Sequence, residues 1–245
     1  MKVVVIIPAA GLGTRMVSAA ATRGKQPAPS KQFTELAGVP ILVHTLRKFA
    51  DCGEVSEVIL ALRRNEMEGF QKRLEEEARD ILRKTLRMVE GGEHRQQSVA
   101  NAIAVISAAP EDVVLVHDAV RPFVTKEIIY DVIQAARKYG SAIAGLPAVD
   151  TVKQVERTSE GALITATIPR ERIVLAQTPQ GFRYDVLKQA FDEAAQDGFL
   201  GTDEASLVER SGQPVAVVMG SARNIKITTP ADMELAEFYL TNQPD

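Results

Sequence analysis

Apolar and polar positions along the chain alternate between two periods. Val3-Val4-Val5-Ile6-Ile7 is an unbroken β-branched run closed by Pro8, which predicts a buried first strand. After Pro40, Ile41, Leu42, Thr45, Leu46 and Phe49 keep helical spacing. Glu57–Ala61 predicts a second strand, and Met67, Phe70, Leu74, Ala78 and Ile81 mark one face of a charged amphipathic helix. Leu86–Val89 predicts a third strand that ends in Gly91-Gly92-Glu93-His94-Arg95, with a helix following through Val99, Ile103 and Ile106. Val113–His117 is a further strand running into Asp118-Ala119-Val120-Arg121-Pro122. Thr125 is placed to cap a helix with Ile128, Ile129, Val132 and Ala136 on its face, and Ala142–Pro147 predicts another buried strand. Strand and helix in alternation imply an α/β, doubly wound, mainly parallel sheet covered on both faces.

The alternation stops at Asp150. Asp150–Glu156 and Ala162–Ile168 alternate apolar and polar residues around Ser159-Glu160-Gly161, which predicts a β-hairpin. With few large apolar residues it cannot form a core alone, so residues 148–169 are expected to be an arm that packs on something else, such as another subunit. Val174–Gln177 returns to strand, Tyr184–Ala195 is helical, and Thr202 is placed to cap a helix from about Asp203. Val215–Met219 and Ile225–Ile227 are expected as late strands, and Thr229-Pro230-Ala231-Asp232 opens a last helix with Met233, Ala236 and Leu240 on one face. No repeat or linker divides residues 1–245, which read as one domain.

Composition removes several classes of function. A net charge of −3 argues against a general nucleic-acid or anionic-membrane surface, so any phosphate site is a local basic cluster. No stretch approaches a membrane span, and the first apolar run is too short for a signal peptide. One cysteine, Cys52, excludes an intramolecular disulfide and suggests a cytoplasmic protein.

Chemistry gathers where strands end. In an open α/β sheet, ligands sit at the carboxyl ends of the strands. Pro8-Ala9-Ala10-Gly11-Leu12-Gly13-Thr14-Arg15-Met16, Gly91–Arg95, Asp118–Arg121 and Gln177–Gln180 are all expected at such ends. Small side chains at Ala9, Ala10, Gly11 and Gly13 let a ligand approach the backbone, and successive N–H groups there can cradle phosphate oxygens. Arg15 and Lys31 add full positive charge. The loop has neither the third glycine of a dinucleotide fingerprint nor the Gly-Lys-Ser/Thr of a P-loop. The Ala-, Gly- and Pro-containing excursion Val17–Ser30 is expected to act as a lid. His117 reads as a hydrogen-bonded core histidine, since no second His or Cys stands at metal spacing from it.

Taken together, the glycine loop, Lys31-Gln32-Phe33, Gly91-Gly92-Glu93-His94-Arg95-Gln96-Gln97-Ser98 and Val116-His117-Asp118-Ala119-Val120-Arg121-Pro122 resemble the 2-C-methyl-D-erythritol 4-phosphate cytidylyltransferases. So do Asp150-Thr151-Val152-Lys153, Gln177-Thr178-Pro179-Gln180, Thr202-Asp203-Glu204-Ala205 and Asn224-Ile225-Lys226-Ile227-Thr228, in family order along the chain. The resemblance implies a nucleotidyltransferase-type sheet with the hairpin as a dimerisation arm. It implies transfer of a cytidylyl group from CTP to a polyol phosphate in non-mevalonate isoprenoid synthesis, a homodimer, and a divalent cation such as Mg2+ near Asp118. Arg15 and Lys31 would be catalytic. Ala9, Ala10, Gly11, Gly92, Glu93, Arg95, Ser98, Asp118 and Ala119 would contact the nucleotide. Arg121, Thr151, Arg170, Thr178, Thr202 and Lys226 would meet the acceptor, with Thr151 and Arg170 lent by the twofold mate.

The chain departs from the family pattern in a longer Arg15–Lys31 segment, in Ser30 before Lys31, which makes Lys25 a rival for the role of Lys31 although Gln32-Phe33 favours Lys31, and in Arg223 where an acidic residue is common. The alternatives are a ribitol 5-phosphate cytidylyltransferase and a non-catalytic nucleotide-binding module.

Overall fold

The computed structural model describes residues 1–11, 30–159 and 161–242, so the expectations for Arg15, Lys25 and the proposed lid up to position 29 lie outside the described residues. β1 (Val3–Pro8) is followed by a short pair, β2 (Glu35–Leu36) and β3 (Val39–Pro40), then α1 (Ile41–Ala50), β4 (Glu57–Leu62), α2 (Arg64–Glu77) and β5 (Thr85–Glu90). Next come α3 (Arg95–Ile103), β6 (Val113–Val116), α4 (Lys126–Tyr139) and β7 (Ser141–Pro147). The chain runs out and back through β8 (Val152–Thr158) and β9 (Gly161–Ile168), and re-enters the body through β10 (Val174–Arg183). It finishes with α5 (Tyr184–Asp197), α6 (Glu204–Arg210), β11 (Ala216–Met219) and α7 (Pro230–Thr241).

Seven strands make one sheet in the order β11-β7-β10-β6-β1-β4-β5. Every pair is parallel except those of β10, which runs antiparallel to β6 and β7 because it returns from the hairpin. β1 lies between β4 and β6, and Val3 to Ile7 are wholly buried. Its side chains divide by the pleat. Val3, Val5 and Ile7 join Phe49 of α1, Phe70 and Leu74 of α2, and Ile129 and Val132 of α4. Val4 and Ile6 join Val99 of α3, Phe191 of α5 and Val208 of α6. This is the two-sided cover expected of a β-branched run with no polar face. A third cluster of Leu36, Ile41, Val120, Ile227 and Ala236 holds α7 against the β2–β3 turn.

Thr125 and Thr229 cap α4 and α7 as their positions predict, accepting from the Ile128 and Asp232 amides. Other boundaries shift. α2 stops at Glu77, yet Ala78 and Ile81 remain buried, packing from the turn beyond the helix. Ile106 likewise packs from beyond the end of α3. Asp203, not Thr202, caps α6, in a reciprocal box with Ser206. Ile225–Ile227 is not a strand, although the Ile227 amide bonds the Val120 carbonyl at 3.0 Å.

The largest correction concerns β10. The strand expected over Val174–Gln177, with Gln177–Gln180 at its end, continues to Arg183. Pairing with β7 jumps from Ala176–Gly145 to Gln180–Ile143, so residues 177–179 form a bulge, and the Thr178–Pro179 peptide is cis. Neighbours on both sides recapture the backbone after the bulge, so the strand runs on past Gln177.

Gly181 permits the close seat of α4 on this strand. A Cβ there would lie 2.7 Å from a Val132 methyl and 2.9 Å from a Leu115 methyl. Gly181→Ala should therefore cost about 1–3 kcal/mol of stability through overpacking, read from urea midpoints. No loss would show that α4 can lift without penalty.

Candidate active site

The loop after β1 is held by its own carbonyls and by β4. The Ala9 amide donates to Ala61 O at 2.8 Å, Gln32 Nε2 donates to Ala9 O at 2.5 Å, and Arg63 Nε donates to Ala10 O at 2.9 Å. The loop after β5 comes up against it. A Cβ on Gly91 would stand 2.3 Å from the Ala10 Cβ, so only glycine allows this approach. Ser98 Oγ accepts from the Gly92 amide at 3.0 Å and donates to His94 O at 3.1 Å, and Gln97 Oε1 accepts from the Glu93 amide at 2.9 Å. These bonds fold the Gly91–Arg95 loop onto the start of α3, whose N-terminus has no side-chain cap from His94. Its unsatisfied amides and dipole attract an anion.

Two cavities adjoin at this edge of the sheet. The first is lined by Pro8, Ala9, Ala10, Gly11, Lys31, Gln32, Gly92, Glu93, His94, Arg95, Ser98, Asp118, Ala119, Val120 and Lys226. The second is lined by Arg95, Asp118, Arg121, Ala176, Gln177, Thr178, Gln180, Thr202, Asp203 and Lys226. Arg95, Asp118 and Lys226 belong to both linings. Every described residue expected to contact the nucleotide lines the first cavity, and Arg121, Thr178, Thr202 and Lys226 of the acceptor set line the second. Thr151 and Arg170 line neither. They sit exposed at the root of the hairpin, where Arg170 Nη1 donates to Val149 O at 2.7 Å.

Asp118 is the electrostatic centre. Its buried carboxylate has Oδ1 3.4 Å from Arg95 Nε, and Oδ2 3.2 Å from Arg121 Nε and 3.0 Å from Lys226 Nζ. Burial alone would raise its pKa, but Arg95, Lys226 and Arg121 hold it well below the usual carboxylate range. Arg95 also donates from Nη1 to Glu204 Oε1 at 2.5 Å. Burial disfavours the Arg95 charge, but Glu204 and Asp118 overcome this and keep it protonated.

Behind Asp118 lies a neutral relay. His117 Nε2 is 3.1 Å from the Arg121 carbonyl, which can only accept, so Nε2 carries the proton. Nδ1 then accepts from the Thr178 hydroxyl at 3.2 Å, and Thr178 Oγ1 accepts from the Asp118 amide at 3.0 Å. Thr178 thus spends its hydroxyl on fixing Asp118. His117 is the core histidine its spacing suggested, edge-on to Phe49 with ring centroids 4.9 Å apart.

Sequence reasoning passed over Gln32, Gln177, Gln180, Glu204 and Asn224, all buried and polar. Gln180 bonds both Asp203 and the Ala205 amide, and Asn224 Nδ2 donates to Thr178 O at 2.8 Å. The available signal was a polar residue beside each site motif, and it does not tell a buried amide from a solvated one. Arg223 turns away from the site and stacks on Tyr239, 4.5 Å from the ring centroid. Among the described residues, no three His, Cys, Asp or Glu side chains form a group that could hold a metal ion.

A doubly wound sheet with a glycine-bearing loop after β1, two adjoining basic cavities and, among the described residues, no activated nucleophile defines a nucleotidyltransferase, an enzyme that works by positioning phosphates and neutralising their charge. The family model described as 2-C-methyl-D-erythritol 4-phosphate cytidylyltransferase matches residues 3–242. Proteins of that name from Acidobacterium capsulatum and Solibacter usitatus are 57% and 50% identical to this chain, covering 98% and 99% of it and 98% and 97% of their own lengths. The crystal structure of the Thermus thermophilus protein of that name superposes with a TM-score of 0.76 at 34% identity, covering 99% of this chain and all of that one. The Francisella tularensis structure matches with a TM-score of 0.76 at 34% identity, over 97% and 99% of the two chains. The chain belongs to the 2-C-methyl-D-erythritol 4-phosphate cytidylyltransferase family.

The His117 relay makes stability depend on pH. Burial pushes the imidazole from 6.5 down to about 4. The unfolded chain takes up a proton in that interval that the folded chain refuses, so the stabilisation is full above 6.5 and drains as pH falls. Roughly 2 kcal/mol should be gone by pH 5. Urea midpoints followed from pH 7.5 to 5 should fall less steeply for His117→Asn than for the wild type. Parallel slopes would mean the imidazole is not held neutral.

Proposed function

We propose that this chain transfers the cytidylyl group of CTP to the phosphate of 2-C-methyl-D-erythritol 4-phosphate and releases pyrophosphate, a step of non-mevalonate isoprenoid synthesis. One observation carries the reading: two cavities share a wall of Arg95, Asp118 and Lys226, where two phosphate-bearing ligands would meet. An acceptor phosphate oxygen attacks the α-phosphorus. The new P–O bond forms as the bond from the α-phosphorus to the β-bridging oxygen breaks, and that oxygen leaves with pyrophosphate. The acceptor phosphate is already ionised near neutral pH, so no protein base is needed.

Lys31, with Arg15, neutralises charge gathering on the α-phosphate, and the amides at the start of α3 add to it. The Gly91–Ser98 loop receives the cytosine and ribose, with Gly92, Glu93 and Ser98 against them. Ala9, Ala10, Gly11 and Ala119 lie along the nucleotide. Arg121, Thr202 and Lys226 receive the acceptor, while Thr178 serves it by holding Asp118.

A metal held by protein ligands does not fit this site, because Asp118 has both oxygens engaged by cationic side chains. The divalent cation, Mg2+ or another, enters as part of the metal–CTP substrate, and Asp118 orders the basic residues around it.

The arm supports a homodimer. Leu163 and Ile164 on β9 are 65% and 64% exposed, and Val155, Val174 and Leu175 are also bare. Such a surface is suited to a second copy, to whose site Thr151 and Arg170 would be lent. Residues 148–169 are then an extension of one catalytic domain. No helix among the described residues is long and apolar enough to cross a membrane. The one cysteine, buried and free, suits the reducing cytoplasm.

Incubation with CTP, Mg2+ and either methylerythritol phosphate or ribitol phosphate tests the reaction. Pyrophosphate should appear with the first acceptor, and Lys31→Ala should lower kcat by at least about a hundredfold. Binding of CTP without turnover on any acceptor would leave a nucleotide-binding module instead. Calorimetry with Mg2+ alone should show no site on the protein.

Mixing two dead variants, Lys31→Ala and Arg170→Ala, tests the lent residues. If Arg170 acts across the dimer, random subunit exchange should restore about a quarter of wild-type activity, half the dimers being mixed and half their sites intact. No recovery despite confirmed exchange would place Arg170 in its own subunit's site or outside the site.

A further inference from the structure

Glu204 is a buried carboxylate that the reaction does not use. It stands at the first turn of α6, 1% exposed, with Oε1 at 2.5 Å from Arg95 Nη1 and Oε2 buried without a hydrogen-bond partner. It does not cap the helix, since Asp203 and Ser206 do that. A buried carboxylate with one bare oxygen is poor value as a stabilising device, because an apolar residue of similar volume would serve a core as well. The chain nevertheless fastens this residue firmly. Gln180 of β10 donates to Asp203 Oδ2 at 2.8 Å and accepts from the Ala205 amide at 3.0 Å, locking the backbone on either side of Glu204.

What Glu204 holds is the side chain that lines both cavities. Arg95 reaches two carboxylates, Glu204 from α6 and Asp118 from the end of β6, and forms no other ion pair within 4 Å among the described residues. Its neighbour Gln96 ties the start of α3 to the segment before α6, donating to Phe199 O at 3.0 Å and accepting from the Gly201 amide at 2.9 Å. Without the Glu204 charge, Asp118 is the one ion-pair partner left to Arg95 among the described residues, and Arg121 and Lys226 already occupy its Oδ2.

We propose that Glu204 is a positioning residue that fixes the Arg95 guanidinium in the wall between the nucleotide and acceptor cavities and so sets the affinity for both substrates. The inference rests on the reading of the cavities given above. Burial pushes the Glu204 carboxyl above its ordinary range, with Arg95 opposing.

Glu204→Gln keeps the shape and removes the charge. It should raise KM for CTP and for the acceptor about tenfold each, more than it lowers kcat, with the thermal midpoint close to wild type. Glu204→Asp keeps the charge one methylene further from Arg95 and should fall between, which preserves the test if the Gln variant folds poorly. In an Arg95→Gln background, Glu204→Gln should change either KM by less than about twofold, since the group it acts through is gone. Unchanged KM values in Glu204→Gln, or effects that simply add to those of Arg95→Gln, would overturn the proposal. CTP binding by calorimetry separates this from the catalytic reading. A wild type that binds CTP without turnover defeats the reaction, while equal dissociation constants for wild type and Glu204→Gln defeat the role of Glu204.

Discussion

The buried carboxylate of Asp118 is the constraint on which the site depends. β6 is four residues long and delivers Asp118 directly from the core to the edge of the sheet. A carboxylate so deep in the protein would take up a proton if left alone. It stays ionised because Arg95, Arg121 and Lys226 arrive from three places in the chain, and their guanidinium and ammonium groups converge because it is ionised. The first turn of α3, the loop after β6 and the segment before α7 are thereby held by a single charge. The same cations are the groups that phosphates would bind. The site is a ready arrangement of positive charge organised around one internal anion, and catalysis of phosphoryl chemistry needs little else from a protein.

Neutral polar side chains hold this arrangement still. Gln177 accepts from the Ser221 amide at 3.2 Å and donates to Ser221 O at 2.9 Å, fastening the segment that leads to Lys226 onto the β10 bulge. A Cβ on Gly220 would stand 2.3 Å from Gln177 Oε1, so the contact requires glycine there. His117 and Thr178 hold the Asp118 backbone from behind, and Asn224 holds the Thr178 carbonyl. Networks of this kind add modest stability but specify one geometry, because each member loses its partner if another moves.

The hairpin obeys a different logic from the body. In the sheet, apolar side chains are buried on both faces between helices, whereas Val155 of β8 and Leu163 and Ile164 of β9 face outward without cover. Its strands pair with each other and with no strand of the main sheet. The antiparallel direction of β10 follows from it, since a chain that leaves by β7 and returns at the same root must run back against it.

The sequence by itself determined the parallel α/β sheet, because β-branched runs without a polar face can only be buried on both sides, and it marked the hairpin where alternation replaced those runs. It also marked the loops that line the cavities, since glycine, basic and acidic residues recur after successive strands. Only the tertiary structure decided how the charges are spent. Nothing in the local pattern of Thr178 shows that its hydroxyl is used on His117 and Asp118, or that Glu204 is buried against Arg95, 109 residues away in the chain. Nor could the end expected at Gln177 reveal itself as a bulge inside a longer β10, because that depends on the strands flanking it. Local preferences act over a few residues, whereas burial and ion pairing are settled by distant segments meeting in space.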